Sequence, residues 1–186
     1  MTGRQALQPR LQGVGMGRDQ RGGWSTDVWL TPPVLLDALG PFDLDPCAPA
    51  DRPWDTANTH ICLPDDGLSA HWPADARVWL NPPYGDQTWV WLRRLADHGR
   101  GTALVFARTE TAAFHQEGWQ RADAMLFLEG RVRFHRIDGT VSRKDAGAPS
   151  VLIAYGPADA ERLAASGING HWVDLTAARR VGEQAA

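Results

Sequence analysis

The stretch that decides the fold is Arg77-Val78-Trp79-Leu80-Asn81-Pro82-Pro83-Tyr84-Gly85. The apolar run from Val78 to Leu80 is typical of a buried strand, and an Asn-Pro-Pro-Tyr turn follows it directly. In open α/β sheets, ligands bind in the crevice at the carboxyl ends of the strands. The sequence therefore predicts a ligand-binding turn at the edge of a sheet.

This turn offers two hydrogen-bond acceptors and an aromatic ring. Two consecutive prolines fix φ and remove two backbone donors, so the Pro82 carbonyl is held in one direction. The side-chain oxygen of Asn81 is a second acceptor, and the pair suits an exocyclic amino group such as that of adenine. Stacking of Tyr84 on such a base contributes about 1–3 kcal/mol. The alternative is a plain strand-ending turn, because Asn, Pro and Gly are ordinary turn residues.

Apolar runs and helical patterns alternate along the rest of the chain, which is typical of an α/β sheet with flanking helices. A helix capped by Thr31 is predicted to start at Pro32 and to end before Gly40. Further helices are predicted at 88–98 and 111–119, and strands at 42–45, 60–63, 78–80, 102–106, 124–128, 131–134 and 150–155. The last two strands are predicted to pair antiparallel at one edge of a mostly parallel sheet.

The chain of 186 residues is expected to form a single domain over residues 24–176. Residues 1–23 show no apolar period and are predicted to be a flexible N-terminal arm, and residues 177–186 a C-terminal tail. No apolar run approaches the roughly 20 residues that span a bilayer, and no secretory signal opens the chain. A cytoplasmic location without a membrane partner is therefore expected, and the oligomeric state is not predicted.

Neither the cysteines nor the histidines predict a metal site. Cys47 and Cys62 have neither metal-ligand spacing nor a disulfide framework. The histidines likewise lack ligand spacing, so no metal is expected. Tryptophan is unusually frequent, with nine copies. Core packing is the expected role of Trp79 and Trp91, whereas Trp24 and Trp29 flank a loop and are predicted to face a ligand.

The formal net charge is −3, so overall electrostatics do not indicate a nucleic-acid-binding protein. One stretch is nevertheless basic, and it contains Arg131, Arg133, Arg136, Arg143 and Lys144. Phosphate contacts supply most of the nonspecific affinity for nucleic acids, so this stretch is a candidate DNA-binding surface. A solvated charged hairpin is the alternative.

Several strings, in order from Trp24 to Tyr155, resemble the phage-type DNA N-6-adenine methyltransferases. This Dam-like group lies within the Rossmann-like, S-adenosylmethionine-dependent methyltransferases. The strings are Trp29-Leu30-Thr31-Pro32, Phe42-Asp43-Leu44-Asp45-Pro46-Cys47-Ala48, Asp66-Gly67-Leu68 with Trp72, Asn81-Pro82-Pro83-Tyr84-Gly85, Ala107-Arg108-Thr109-Glu110-Thr111, Gly130-Arg131-Val132-Arg133-Phe134 and Ala148-Pro149-Ser150-Val151-Leu152. Asn-Pro-Pro-Tyr also occurs in methyltransferases that act on protein glutamine, whereas Asp-Leu-Asp-Pro-Cys-Ala is more specific to the DNA group.

The resemblance implies S-adenosylmethionine as cofactor. Asp45 is expected at its methionine end with support from Asp43, and Asp66 at its adenine. The implied cofactor-binding residues are Thr31, Pro32, Asp43, Asp45, Pro46, Cys47 and Asp66. No Gly-x-Gly-x-x-Gly fingerprint is present, so binding is expected to use side chains and the backbone after Pro46. Capping by Thr31 and ordinary Asx and Asp-Gly turns remain alternatives.

The resemblance also implies an activity and a partner. It implies that adenine in DNA is rotated out of the stack and that its N6 attacks the cofactor methyl group directly. Asn81, Pro82, Pro83 and Tyr84 are the implied catalytic residues. Arg108, Arg131, Arg133, Arg136, Arg143 and Lys144 are the implied DNA contacts, although a helix start capped by Thr109 or Thr111 also explains the string around Arg108. RNA adenine or protein glutamine as acceptor, and a non-catalytic nucleic-acid-binding module, remain alternatives.

Overall fold

The structure is a computed structural model, and it describes residues 28–143 and 146–176. The predicted arm 1–23, the tail 177–186, Trp24 and Lys144 lie outside the described residues. The strands are β1 (Leu44–Asp45), β2 (Thr59–His60), β3 (Val78–Leu80), β4 (Gly101–Phe106), β5 (Ala124–Leu128), β6 (Ser150–Tyr155) and β7 (Gly170–Asp174). The helices are α1 (Pro33–Leu39), α2 (Gln87–His98), α3 (Ala112–Phe114), which continues as a π-helical turn over His115–Trp119, and α4 (Pro157–Ala165).

These strands form one mixed sheet in the order β2-β1-β3-β4-β6-β5-β7. The pairs β1–β2, β1–β3 and β3–β4 are parallel. Strand β6 is antiparallel to both β4 and β5, and β7 is antiparallel to β5. Strands β1 to β5 therefore run in one direction and β6 and β7 in the other. The predicted α/β fold with a mostly parallel sheet and an antiparallel edge is confirmed.

The two strands predicted to form that edge, at 131–134 and 150–155, do not form it. Residues 131–134 form no strand. They alternate in burial because Val132 and Phe134 pack into the core while Arg131 and Arg133 are exposed. Residues 150–155 do form a strand, but β6 lies inside the sheet. The antiparallel edge strand is β7, which the sequence patterns did not predict.

Other predicted elements differ from the structure at their boundaries, and the strand predicted at 42–45 is β1, which covers only Leu44–Asp45. The strand predicted at 60–63 is the short β2, which ends at His60. Helix α1 begins at Pro33 with Pro32 as its N-cap residue, and no side chain caps it. Thr31 is therefore not the cap, and its buried hydroxyl has no hydrogen-bond partner among the described residues. Two consecutive prolines favour this start because their fixed φ suits the first helical positions.

The core lies on both faces of the sheet, because successive strand residues point to opposite sides. On one face, apolar strand residues such as Val78 and Leu80 pack with Leu92 and Leu95 of α2. On the other face, Trp79 belongs to a second cluster with α1 and α4. Helices therefore cover both faces of the sheet, which leaves the ends of the strands accessible.

A buried ion pair closes the amino end of the sheet. The Arg77 Nε atom lies 2.6 Å from Asp159 Oδ1. Arg77 Nη1 donates to the carbonyls of Leu39 at 2.6 Å and Pro41 at 2.8 Å. Burial raises the pKa of Asp159 and lowers the pKa of Arg77, while their attraction opposes both shifts. This network ties the start of β3 to α4 and to the end of α1, at the opposite end of the strand from Asn81.

Replacement of Tyr155 with Phe is expected to lower the free energy of unfolding by about 1–2 kcal/mol. The fully buried Tyr155 hydroxyl donates to the Glu117 carbonyl at 2.6 Å, and its loss leaves that carbonyl without this bond. Urea unfolding followed by circular dichroism measures the change. An unchanged unfolding midpoint with an unchanged m-value would show that this bond does not stabilise the fold.

Candidate active site

A cavity of about 460 Å³ lies at the carboxyl ends of β1 and β3. The chain runs from β1 to β2 on one side and returns to β3 on the other, so the strand order reverses between β1 and β3. Such a switch point is where open α/β sheets bind ligands. Segments 28–31, 45–49, 65–67 and 81–84 contribute to the lining. The volume lies within the range of small-molecule sites.

This cavity brings together most of the residues predicted for cofactor and acceptor. The lining includes Thr31, Asp45, Pro46, Cys47, Asp66, Asn81, Pro82, Pro83 and Tyr84, and also Trp29. Pro32 and Asp43 are not part of the lining. The Asp43 carboxylate instead accepts from the backbone N–H of Arg77 at 2.8 Å and from Asn58 Nδ2 at 3.4 Å. Asp43 thus fixes the start of β1.

Asn81 is held in one orientation by its neighbours. Its Nδ2 donates to the Trp29 carbonyl at 2.8 Å. Since a carbonyl only accepts, the atom facing Trp29 is the amide nitrogen and Oδ1 points the other way. Tyr84 donates its hydroxyl to Oδ1 at 3.4 Å, and the Cys47 thiol donates to the Asn81 main-chain carbonyl at 3.4 Å. Burial raises the pKa of the Cys47 thiol, which keeps it protonated as a donor.

The second acceptor of the turn is the Pro82 carbonyl. Within the described part of the chain, no hydrogen bond to this carbonyl is found, whereas the Pro83 carbonyl accepts from Thr88 Oγ1 at 2.8 Å. That bond ties the turn to the first turn of α2. The Asn81 side chain and the Pro82 carbonyl therefore remain available as two acceptors on one rigid turn.

The Tyr84 ring is packed on one side. It stacks on Phe106 with ring centroids 4.3 Å apart and an interplanar angle of 21°, and meets the Phe134 ring edge-on at 6.1 Å. Phe106 therefore occupies one of the two faces that Tyr84 offers for stacking. Burial raises the pKa of Tyr84, so its hydroxyl is a donor at neutral pH.

Asp45 supplies a buried carboxylate at the end of β1. It is 3% exposed, and Oδ1 accepts from the backbone N–H of Cys47 at 3.1 Å. Oδ2 accepts from Thr56 Oγ1 at 2.5 Å. Burial raises the pKa of Asp45 to about 6, although both hydrogen bonds oppose the shift. No periodic pattern marks Thr56, which lies in the Pro- and Asp-rich loop, and the sequence patterns did not predict its role.

The loop 65–67 closes the cavity against β1. A Cβ atom at Gly67 would lie 1.8 Å from the Pro46 carbonyl oxygen, so glycine permits this approach. Trp72 Nε1 donates to the Gly67 carbonyl at 2.9 Å. The Asp66 carboxylate accepts from the backbone N–H of Leu68 at 3.0 Å, as in an Asx turn. Asp65, which was not predicted, lines the cavity beside it.

Electrostatically, the lining is acidic. It contains Asp45, Asp65 and Asp66, and no Lys, Arg or His belongs to it among the described residues. A negatively charged crevice with apolar walls attracts cations and disfavours free anions. The chemistry of this lining fits a cationic ligand.

A model of the Dam family, DNA N-6-adenine-methyltransferase (Dam), matches residues 18–178. The chain belongs to the Dam family. This confirms the resemblance noted in the sequence, and it assigns the chain to the DNA adenine methyltransferases in general, with DNA as the substrate. No curated protein and no solved structure matches the chain.

The Dam-family match also spans a hairpin at residues 134–142. The backbone N–H of Arg136 donates to the Thr140 carbonyl at 2.8 Å, and the backbone N–H of Ser142 donates to the Phe134 carbonyl at 2.8 Å. Phe134 contacts Tyr84, so the hairpin adjoins the Asn81–Tyr84 turn. The exposed predicted DNA contacts in and around it are Arg131, Arg133, Arg136 and Arg143.

Arg108 lies apart from the cavity lining. It lies two residues beyond the carboxyl end of β4 and is exposed. Thr111 accepts from the backbone N–H of Phe114 at 3.2 Å and is the N-cap residue of α3. The string around Arg108 therefore contains the threonine cap that was one alternative for it.

Metal-binding clusters and membrane-spanning helices are both absent from the described part of this Dam-family protein. In residues 28–143 and 146–176, no group of three or more His, Cys, Asp or Glu side chains is arranged to hold a metal ion. Over the same ranges, no helix is long and apolar enough to cross a membrane.

Proposed function

We propose that this Dam-family protein transfers a methyl group from S-adenosylmethionine to N6 of adenine at specific sites in DNA, on a base rotated out of the duplex. The observation that carries the proposal is one cavity lined by both the Asn81–Tyr84 acceptors and the buried Asp45 carboxylate. A methyltransferase needs a donor and an acceptor side by side, and this cavity supplies chemistry for each. The sheet is then of the Rossmann-like methyltransferase type.

The cofactor half is assigned to the acidic side of the cavity. S-adenosylmethionine carries an ammonium and a sulfonium, and when bound it supplies an electrophilic methyl group. Asp45 is the proposed partner of the ammonium, and Thr31 is a further proposed contact because its buried hydroxyl has no partner among the described residues. Asp66 and the backbone of Pro46 and Cys47 complete the proposed binding residues.

The acceptor half is assigned to the Asn81–Tyr84 turn. Asn81 Oδ1 and the Pro82 carbonyl accept the two N6 hydrogens, which directs the N6 lone pair away from the turn and raises its nucleophilicity. N6 itself is the nucleophile, so no covalent enzyme intermediate is needed. Catalysis rests on positioning and on dipoles fixed before the reaction. Tyr84 stacks on the base with the face that Phe106 does not cover.

DNA is favoured as the polymer by the exposed arginines in and around the hairpin. An incubation of purified protein with cofactor labelled on the methyl group, in parallel with DNA, RNA and a glutamine-containing peptide, tests the acceptor. Label in DNA alone is expected. Label in RNA or in the peptide would assign the turn to a different acceptor, and binding of DNA without any transfer would indicate a non-catalytic module.

Replacement of Arg136 with Ala is expected to weaken DNA binding about equally for different sequences and to reduce the slope of log K against log[salt] by about one, because a phosphate contact releases about one counterion. Fluorescence anisotropy over a salt series measures this slope. Arg100→Ala is the matched control, since Arg100 is exposed and directly precedes β4, at the opposite end of the strands from the cavity. Equal slopes for both variants would remove Arg136 from the DNA interface.

A further inference from the structure

The orientation of the Asn81 amide depends on a segment far from it in sequence. We call residues 28–31 the strap. The Trp29 carbonyl of the strap accepts from Asn81 Nδ2 at 2.8 Å. Leu30, the next residue, exchanges two backbone hydrogen bonds with His135 of the hairpin, both at 2.9 Å. A continuous path of hydrogen bonds therefore leads from the hairpin through the strap to the Asn81 side chain.

This orientation matters chemically. An amide rotated by 180° would present its NH₂ group, a donor, where the proposed function requires an acceptor. The Trp29 carbonyl accepts only from a donor, so it selects the rotamer in which Oδ1 is available. The bond from Tyr84 to Oδ1 is long at 3.4 Å, and a hydroxyl also accepts, so Tyr84 alone does not distinguish the two orientations.

The strap is in turn fixed by the hairpin. Its two bonds to His135 are backbone bonds of ordinary length, and His135 also pairs with Val141 across the hairpin. The His135 ring meets Trp54 edge-on at 5.1 Å, and Gly139 approaches Pro53. The hairpin is thus packed against the loop that carries Thr56, and the strap is hydrogen-bonded to the hairpin through Leu30 and to Asn81 through Trp29.

We propose that the strap is a positioning element, in which the Trp29 carbonyl holds the Asn81 amide with Oδ1 available and the hairpin backbone at His135 holds the strap. This role rests on the proposed function, since it assigns a purpose to the Asn81 orientation. It links the surface that carries the arginines to the residue that holds the base. Loss of the backbone bonds between His135 and Leu30 frees the Asn81 amide to rotate, and Asp45 is not part of this path.

Two variants at one position test the path. Proline at His135 removes the N–H that donates to Leu30, whereas alanine keeps it and removes only the ring. His135→Pro is expected to lower kcat at saturating DNA and saturating cofactor at least about ten-fold further than His135→Ala. Equal kcat values for the two variants, or an effect confined to the KM for DNA, would overturn the proposal. Transfer by the wild-type protein in the same assay separates this result from failure of the proposed function.

A measurement without turnover tests the bond itself. The asparagines of the chain are Asn58, Asn81 and Asn169, so asparagine-selective ¹⁵N labelling gives few side-chain signals, and Asn81→Asp identifies the one that matters. Asn58 and Asn169 are exposed. One Asn81 side-chain proton is expected to exchange with water at least about ten-fold more slowly than the side-chain protons of Asn169 in the wild type, and to lose this protection in His135→Pro. Exchange as fast as that of Asn169 in the wild-type protein would overturn the proposal, whether or not the variant folds.

Discussion

Replacement of Asn81 with Ala is expected to lower kcat for methyl transfer by about 100-fold or more, the scale of losing one preorganised group that stabilises developing charge. The side chain supplies one of two acceptors for the N6 hydrogens, and the Pro82 carbonyl remains. The cofactor Kd is expected to change by less than about two-fold, because Asp45 lies on a different strand end. A labelled-methyl assay and calorimetry measure the two quantities.

Asn169→Ala is the matched control, because Asn169 is an exposed asparagine in the loop before β7. It is expected to retain wild-type kcat. Full activity in Asn81→Ala would remove Asn81 from the mechanism, and a parallel loss of cofactor binding would show that the side chain supports the cavity as a whole.

Replacement of Asp45 with Asn is expected to weaken cofactor binding by about 10- to 100-fold, because the charged acceptor for the ammonium is lost while shape is retained. Calorimetric titration with S-adenosylmethionine measures the change. Asp43→Asn is the control, since Asp43 directly precedes β1 but does not line the cavity. Equal losses in the two variants would argue against a specific role for Asp45.

The same carboxyl gives a pH dependence. Its pKa of about 6 means that Asp45 is ionised above pH 6 and neutral below it. Cofactor affinity is therefore expected to level off above about pH 7 and to fall below pH 6 by up to about ten-fold per pH unit, because a neutral carboxyl does not attract an ammonium. In Asp45→Asn this dependence is expected to disappear. An equally steep fall in the variant would assign the titration to another group.

The local parts of the site were predictable from sequence. Val78–Leu80 is apolar and short, and the residues that follow it have strong turn preferences, so strand, edge and turn are encoded within nine residues. The string from Phe42 to Ala48 is equally local. Both strings lie at carboxyl ends of parallel strands, and this shared edge brings Asp45 and Asn81 to one cavity.

The contacts that complete the site were not predictable, because they join residues far apart in the chain. The bonds from Thr56 to Asp45 and from Asn81 to the Trp29 carbonyl depend on how loops fold back on the sheet. A backbone carbonyl also has no side-chain signature. Likewise, the sequence pattern around Phe106 predicts only a strand, and not that its ring covers one face of Tyr84.

The incorrect strand predictions have a similar origin. Residues 131–134 alternate in polarity as an edge strand does, but the alternation reflects packing of Val132 and Phe134 against the core. Strand β7 is mostly exposed and contains Gly170, His171 and Asp174, so it shows no apolar alternation. Backbone pairing with β5, over five residue pairs, defines it instead.

The most direct test of the proposed function is mass spectrometry of nucleosides from DNA that lacks prior methylation and has been incubated with the purified protein and S-adenosylmethionine carrying a deuterated methyl group. Deuterated N6-methyladenine is expected with the wild-type protein and not with Asn81→Ala. Absence of the labelled nucleoside with a folded protein that binds the cofactor, or the label on a base other than adenine, would contradict methyl transfer to adenine N6 in DNA.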